Sequence, residues 1–258
     1  MRYSEEALAQ IAELFEPRAA ALEQHQLQAL LESGKTTSAE AMEHLTHGAG
    51  RRFGLLHHAL HRVFQLFPPD ATEPLPRETL SDVQVNLHAF FINLVGLFDN
   101  FAWAFASHHN LTDVLAKPLS IDLFKSHFQT NLPPKLASFL QDPTLAGWHK
   151  NYLKNYRDAL AHRIPLYVPP CNIYTPDREQ YERLEEMRLQ LQKEWRFDEA
   201  EAVRAEQARL EHPCFTFVHS FKPGASAGHM FVHAQLLADA GTVSSVSGAF
   251  YESWLARA

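Results

Sequence analysis

The chain has 258 residues, of which 46% are hydrophobic and 21% charged, and its formal net charge is −7. A chain of this length can bury a sizeable core without metal or disulfide crosslinks, and its globular composition excludes extensive disorder. The net negative charge repels nucleic acid from the molecule as a whole. An RNA site would therefore have to be a local basic patch.

The cysteines and the N-terminus bear on the compartment. Cys171 and Cys214 are too few for a disulfide framework or a zinc cluster, which fits a reducing environment. The first residues enter an amphipathic pattern at once and lack the apolar run of a secretory signal. We therefore predict a cytoplasmic protein.

The longest apolar stretch runs from about His88 to Ala106 and approaches the length of a membrane span. Asn93, Asp99 and Asn100 interrupt it, and one Asp in mid-membrane costs about 2.5–3.5 kcal/mol on insertion scales. The sequence thus predicts a central bundle helix and no contact with a membrane.

Apolar residues at helical spacing predict the first three helices. Ser4 is the expected N-cap of the first helix. A second helix covers residues 53–67 and ends at Pro68. The third is expected to open at Thr79 and is apolar nearly all round over residues 87–105, so it should lie at the centre of a bundle.

Capping residues and prolines mark the predicted helix ends in the next part of the chain. Asp142 is the predicted N-cap of a helix that has Pro143 at its first position and ends just before Pro165. The tract Asp177–Glu211 is predicted to be a charged helical arm, which breaks into a hairpin near Arg196–Asp198. Asp198 with Glu201 resembles a capping box, so Asp198 is the expected N-cap of the second helix of this hairpin.

The C-terminal part carries a β signal. Alternation predicts a hairpin with strands Phe215–Phe221 and Met230–Leu236 around a turn at Lys222–Gly228, followed by a last helix at Thr242–Ala256. The predicted class is mostly α, with a helical bundle, a charged helical arm and a small β-hairpin. The expected regions are 1–170 for the bundle, 171–212 for the charged helix or helical hairpin, and 213–258 for the β-hairpin plus a C-terminal helix packed on the bundle.

Sixteen histidines raise the question of a metal site. The best-spaced sets are His57, His58 and His61, and His229 with His233. Neither carries a Cys, Asp or Glu at ligand spacing, so structural roles are favoured and we predict no metal and no cofactor. The chain also lacks the glycine-rich phosphate loop and the G-x-S-x-G motif of nucleotide-binding and serine-hydrolase folds.

One segment carries a more specific signal. In Tyr156-Arg157-Asp158-Ala159-Leu160-Ala161-His162-Arg163-Ile164-Pro165, an arginine is followed five residues later by a histidine. The segment resembles the R-x4-6-H motif of the HEPN superfamily, including the polar residue that often follows the arginine. The resemblance implies an all-α bundle that dimerises so that two motifs face one cleft.

The same resemblance implies a function. Many HEPN proteins are endoribonucleases that cut RNA without metal, typically within toxin–antitoxin or antiphage systems, whereas others only bind nucleotides or partners. The implied ligands are RNA or a nucleotide, and the implied partners are a second copy and a cognate antitoxin. A non-catalytic nucleotide-binding or interaction module stays open as the alternative.

A second match to the bare pattern occurs at Arg52 and His57, inside an ordinary amphipathic helix. Context favours the Arg157 motif, because Asp158 fills the polar position that Phe53 occupies in the second match. The favoured motif also closes its helix just before Pro165 and has small residues around it.

The residue types suit RNA cleavage through the 2′-hydroxyl, which needs a group to move protons and a cation to stabilise phosphoryl charge. Residues five apart point about 140° apart on a helix, so one copy of the motif converges imperfectly. A hydrogen bond from His162 to Asp158 at i−4 is expected. The predicted site comprises Arg157, Asp158 and His162 as catalytic residues, with Asn93, Asp99, Asn100 and Arg163 as supporting polar residues. Helix capping by the histidine and hydrogen bonding of the asparagines within the core remain alternatives.

Overall fold

The computed structural model describes residues 2–112, 120–219 and 228–257, and it confirms a mostly α-helical protein with a small β-hairpin. The helices are, in chain order, α1 (Glu5–Ser33), α2 (Ala39–Glu43), α3 (Arg51–Leu66), α4 (Arg77–His108), α5 (Ser126–Gln129), α6 (Pro134–Leu140), α7 (Pro143–Gly147), α8 (Lys154–His162), α9 (Arg178–Lys193), α10 (Phe197–Ala208) and α11 (Val232–Tyr251). The strands are β1 (Thr216–His219) and β2 (Gly228–Phe231), and one 3-10 turn covers Thr175–Asp177.

The centre of the bundle is α4, as predicted. Its apolar side chains are almost fully buried, and α3 packs along it on one side while α1 and α11 pack against each other nearby. This helix is long and apolar enough to cross a membrane, but 67% of its most apolar 18-residue stretch is buried inside the molecule. Such burial is typical of the core helix of a soluble protein.

The ends of the first helices follow local rules. Ser4 caps α1, since its hydroxyl accepts a hydrogen bond from the Ala7 backbone N–H at 3.2 Å. The expectation that Thr79 opens α4 was wrong, because the helix begins at Arg77 directly after Pro76. Pro76 lies at the N-cap, where its missing backbone N–H costs no helical hydrogen bond, and Thr79 lies inside the first turn.

Two helices are interrupted by π-helical turns, which insert one extra residue per turn. The first π segment, His44–Gly50, joins α2 to α3, and the second π segment, Trp148–Leu153, joins α7 to α8. The continuous helix from Pro143 to His162 therefore contains the whole Arg157 motif. Asp142 caps it as predicted, accepting from the N–H groups of Thr144 and Leu145 at 2.9 and 3.1 Å.

The charged arm is a helical hairpin, as predicted, because α9 and α10 pack against each other around the turn Glu194–Arg196. Trp195 takes a left-handed conformation there, with φ 62°. The predicted Asp198 cap was wrong, since the residue before α10 is Arg196.

The second strand of the C-terminal hairpin is shorter than predicted. β1 pairs antiparallel with β2 in a register that joins Thr216 to Phe231. The expected strand Met230–Leu236 and the late helix start at Thr242 were wrong, because β2 ends at Phe231 and α11 begins at Val232. Buried residues in this helix recur at Val232, Leu236, Ala240 and Val243, a helical spacing that the short β-like alternation masked. Residues 222–227 of the predicted turn lie outside the described ranges.

Candidate functional site

A cavity of about 600 Å³ lies between α4, residues 121–125, the second π segment and α8. The motif residues Arg157, Asp158, His162 and Arg163 line it, together with Asp99 of α4. The other lining residues are Val95, Phe98, Trp103, Ile121, Asp122, Lys125, His149 and Lys154. Five of the seven predicted site residues thus share one concave surface.

The motif arginine is held by its neighbour in sequence. Arg157 Nη1 donates to Asp158 Oδ1 at 2.9 Å, while 41% of the Arg157 side chain and 22% of the Asp158 side chain remain exposed. The predicted hydrogen bond between His162 and Asp158 is absent from the described part of the chain. An ion pair this open to solvent contributes only about 0.2–1 kcal/mol, so a phosphate could displace the carboxylate from Arg157.

His162 is the last residue of α8 and is exposed, and Arg163 follows it as the C-cap with its backbone N–H bonded to the Ala159 carbonyl. The helix therefore ends where predicted, ahead of Pro165. Although Arg157 and His162 point in different directions from the helix axis, both border the cavity. A ligand that fills the cavity can reach both side chains.

The second π segment adds a histidine to this surface. His149 and Arg157 are eight residues apart, which on an ideal helix leaves them about 80° apart, and the extra residue of the π turn reduces this offset. The His149 ring stacks on Phe124 with centroids 3.8 Å apart. Burial lowers the pKa of His149 to about 4, so its ring is neutral at physiological pH.

The cavity also holds carboxylates. Asp99 is exposed to the cavity, yet the surrounding protein raises the pKa of its carboxyl group, and the nearby charge of Asp122 raises it further. Arg157, Arg52 and Lys125 act in the opposite direction and lower the pKa of Asp99. The charge of Asp99 is therefore set by competition between desolvation by the cavity walls and several neighbouring ions.

The other two predicted polar residues of α4 do not line the cavity. Asn100 Oδ1 accepts from Arg52 Nε at 2.9 Å, and Asn93 Oδ1 accepts from Arg52 Nη1 at 3.0 Å. Asn100 Nδ2 also lies 3.2 Å from His44 Nδ1 in the first π segment. Asn93 and Asn100 thus join α3 to α4 instead of contacting the Arg157 motif.

A buried carboxyl group anchors the second π segment from outside the cavity. Asp239 of α11 is fully buried and accepts hydrogen bonds from Trp148 Nε1 and Tyr152 Oη, both at 2.9 Å. Gln235 Nε2 donates to the same group at 3.0 Å. Burial raises the pKa of Asp239 to about 7, although these three donors oppose the shift.

The histidine sets do not form a metal centre in the described residues, where no group of three or more His, Cys, Asp or Glu side chains could hold an ion. His233 is structural, as expected. It is fully buried, its Nε2 lies 2.6 Å from the Phe67 carbonyl, and its Nδ1 lies 3.2 Å from the Tyr3 hydroxyl.

Sequence reasoning missed several cavity residues, namely Trp103, Asp122, Lys125, His149 and Lys154. Lys154 lies one turn before Arg157 and could have been found from helical spacing. His149 could not, because the π turn changes the register. Asp122 and Lys125 reach the cavity through the tertiary fold, and no local pattern marks them.

The fold and site define a mostly α-helical protein with a mixed-charge cavity beside its central helix. Compared with protein-family models, curated proteins and solved structures, the chain gives no match. The resemblance to the HEPN superfamily therefore rests on the motif residues and their setting.

Proposed function

We propose that this protein is a HEPN-like, metal-independent endoribonuclease whose site is the cavity beside α4. The observation that supports the proposal is the convergence of Arg157, Asp158 and His162 on one cavity with Asp99 and three further basic side chains. The motif was selected from sequence context, and the same residues border a concave surface large enough for one nucleotide unit.

The basic residues suit a phosphodiester. Arg157 can present a planar fork to two phosphate oxygens once Asp158 is displaced. Lys154 of the same helix and Arg163 directly after it add positive charge. Such cations stabilise the charge that develops on the phosphoryl oxygens during attack. The half-buried ring of Trp103 offers apolar surface against which a base can stack.

The histidines suit proton transfer. His162 is exposed at the cavity rim, and an imidazole can take the proton of a 2′-hydroxyl or give one to the leaving 5′-oxygen. The neutral ring of His149 is a second group of this kind on the same surface. Attack by the 2′-oxygen on the adjacent phosphorus breaks the bond to the 5′-oxygen and leaves a 2′,3′-cyclic phosphate.

The charge of the cavity supports a second candidate function. Lys125, Lys154, Arg157 and Arg163 face Asp99, Asp122 and Asp158, so formal cations exceed carboxylates by only one in the described lining. This near balance, within a chain of net charge −7, favours a small nucleotide over long RNA. The second candidate is a non-catalytic HEPN-like nucleotide-binding or interaction module.

The resemblance extends the proposal to partners and compartment. We expect a cytoplasmic homodimer in which two motifs share one cleft, with a cognate antitoxin as a further partner. Sedimentation at micromolar concentration should give the mass of a dimer. A strictly monomeric mass would count against the shared cleft.

The function itself is tested with purified protein, diverse RNA substrates and excess EDTA. We expect cleavage to persist in EDTA and to leave 2′,3′-cyclic phosphate ends, because the proposed chemistry uses only side chains. Cleavage that stops on chelation and returns with added metal would contradict the mechanism. Absence of cleavage on every RNA, together with nucleotide binding, would favour the second candidate.

A further inference from the structure

A groove of about 330 Å³ lies between α1 and α11 and shares no lining residue with the cavity beside α4. At the start of the two helices, the Tyr3 hydroxyl lies 3.2 Å from His233 Nδ1. Further along, Tyr251 Oη donates to the His25 carbonyl at 3.3 Å, so the two helices run parallel. A groove of this volume fits a small molecule.

Apolar side chains form most of the groove. On α1 they recur at spacings of four and three residues, which places them on one face of the helix. Leu14 on this face remains 41% exposed. The apolar lining consists of Ala7, Ile11 and Leu14 of α1 and Ala234, Leu237 and Ala238 of α11. A ligand with an apolar body would remove this surface from water.

Arg18 lies at one end of the groove. It is the last lining residue along α1, and its guanidinium group packs over Gly241 of α11, one turn beyond Ala238. A Cβ atom at position 241 would lie 2.7 Å from Cζ of Arg18 and 3.0 Å from each Nη atom. The planar group therefore lies against the α11 backbone, which fixes its position at this end of the groove.

The positive charge of Arg18 is not matched by a neighbouring acid. Within residues 2–112, 120–219 and 228–257, Arg18 forms no ion pair and no hydrogen bond, and it is the one charged residue in the described lining of the groove. The residues three and four positions away on α1 carry no charge, and they are Leu14, Phe15, Ala21 and Leu22. The groove thus combines an apolar surface with an unpaired cation at one end.

We infer that this groove binds a small aliphatic carboxylate, such as a medium-chain fatty acid, whose head group pairs with Arg18 and whose chain lies along Leu14 and Ile11. The guanidinium fork matches the two oxygens of a carboxylate, and charge-assisted hydrogen bonds of this kind are stronger than neutral ones. The ion pair would form beside apolar side chains, where water screens it less than on an open surface. The inference does not depend on RNA cleavage, because the groove and the cavity have no residue in common.

The first test is an NMR titration of the full-length protein, isotope-labelled at its alanine methyl groups, with decanoate below its micelle concentration. The signals of Ala7, Ala234 and Ala238 should shift and saturate, while that of Ala161 on α8 should stay in place. Decanol keeps the chain without the charge and should bind roughly tenfold more weakly. Octanoate should also bind about tenfold more weakly than decanoate, because two fewer methylene groups are buried. Unshifted methyl signals, or equal binding of decanol and decanoate, would overturn the inference.

The second test substitutes the arginine. Arg18→Met removes the charge but keeps an apolar side chain, so the affinity for decanoate should fall roughly tenfold while that for decanol stays the same. Arg18→Lys should retain part of the preference for decanoate. Arg178→Met removes an exposed arginine of α9 outside the groove and should bind both ligands as the wild type does. A folded Arg18→Met protein with the wild-type preference for decanoate would overturn the inference. If this variant does not fold, the wild-type comparison of decanoate with decanol decides the matter.

Discussion

The helices α3 and α8 share an unusual layout and differ in what surrounds it. Each follows a π segment, each carries an arginine and a histidine five residues apart, and each packs against α4. In α3 the arginine is half-buried over Gly96 and the histidine turns toward α1. In α8 the arginine and the histidine both border an open cavity.

This difference shows that the spacing alone does not determine the role of the residues. A guanidinium group packed against a helix backbone between two asparagines holds two helices in register, whereas one that borders a cavity can reach a ligand. The neighbouring residues decide between these outcomes. Arg52 is surrounded by Gly96, Asn93 and Asn100, whereas Arg157 has Asp99 and Asp158 nearby. Substitutions at the residues that anchor each helix test this difference.

On the α8 side, the buried carboxyl group of Asp239 anchors the second π segment, and its removal should have the largest effect on stability. Its pKa is about 7 in the folded protein and 3.8 without the fold, so the folded state favours the protonated form. This contribution is fully present below about pH 4 and is lost as the pH rises through about 7. The stability advantage of the wild type over Asp239→Asn should therefore fall by several kcal/mol over that range.

Urea denaturation of both proteins at several pH values between 4 and 8 measures this difference. Subtracting the variant removes the contribution of other titrating groups, which both proteins share. A difference that stays constant with pH would show that Asp239 is ionised to the same extent in the folded and unfolded states. In that case, its three hydrogen-bond donors would offset the effect of burial on its pKa.

On the α3 side, disturbing the packing of Arg52 should change the free energy of unfolding by a smaller amount. The test is Gly96→Ala, with Gly248→Ala as the matched control. Both glycines are helical, but a Cβ at Gly248 meets nothing within 4 Å, whereas one at Gly96 overlaps the Arg52 guanidinium group. Gly248→Ala should raise the free energy of unfolding by about 0.5–1 kcal/mol, because alanine restricts the unfolded chain. Gly96→Ala should lower it.

Denaturation midpoints of the two variants provide the measurement. If both substitutions stabilise the protein equally, Arg52 can leave its place above Gly96 without loss. The contact that Arg52 makes between α3 and α4 would then stabilise the protein less than its two hydrogen bonds suggest.

Much of this arrangement was predictable from local sequence rules. Asp142 and Pro165 bound the motif helix because capping and proline geometry act over a few residues. Asn93 and Asn100 stood out as polar residues on an apolar helix, although the sequence did not identify Arg52 as their partner. His149 was not predicted because a π turn alters the register. The start of α11 was placed ten residues late because the alternation over residues 230–236 resembles a strand.

We propose that the α8 motif carries the chemistry and that its counterpart in α3 does not. One RNA-cleavage assay of folded His162→Ala and folded His57→Ala tests it most directly. Loss of the proton-transfer group should lower cleavage by on the order of 10²-fold in His162→Ala, while His57→Ala should cleave nearly as well as the wild type. Equal losses in the two variants would contradict the assignment of the site to the cavity beside α4.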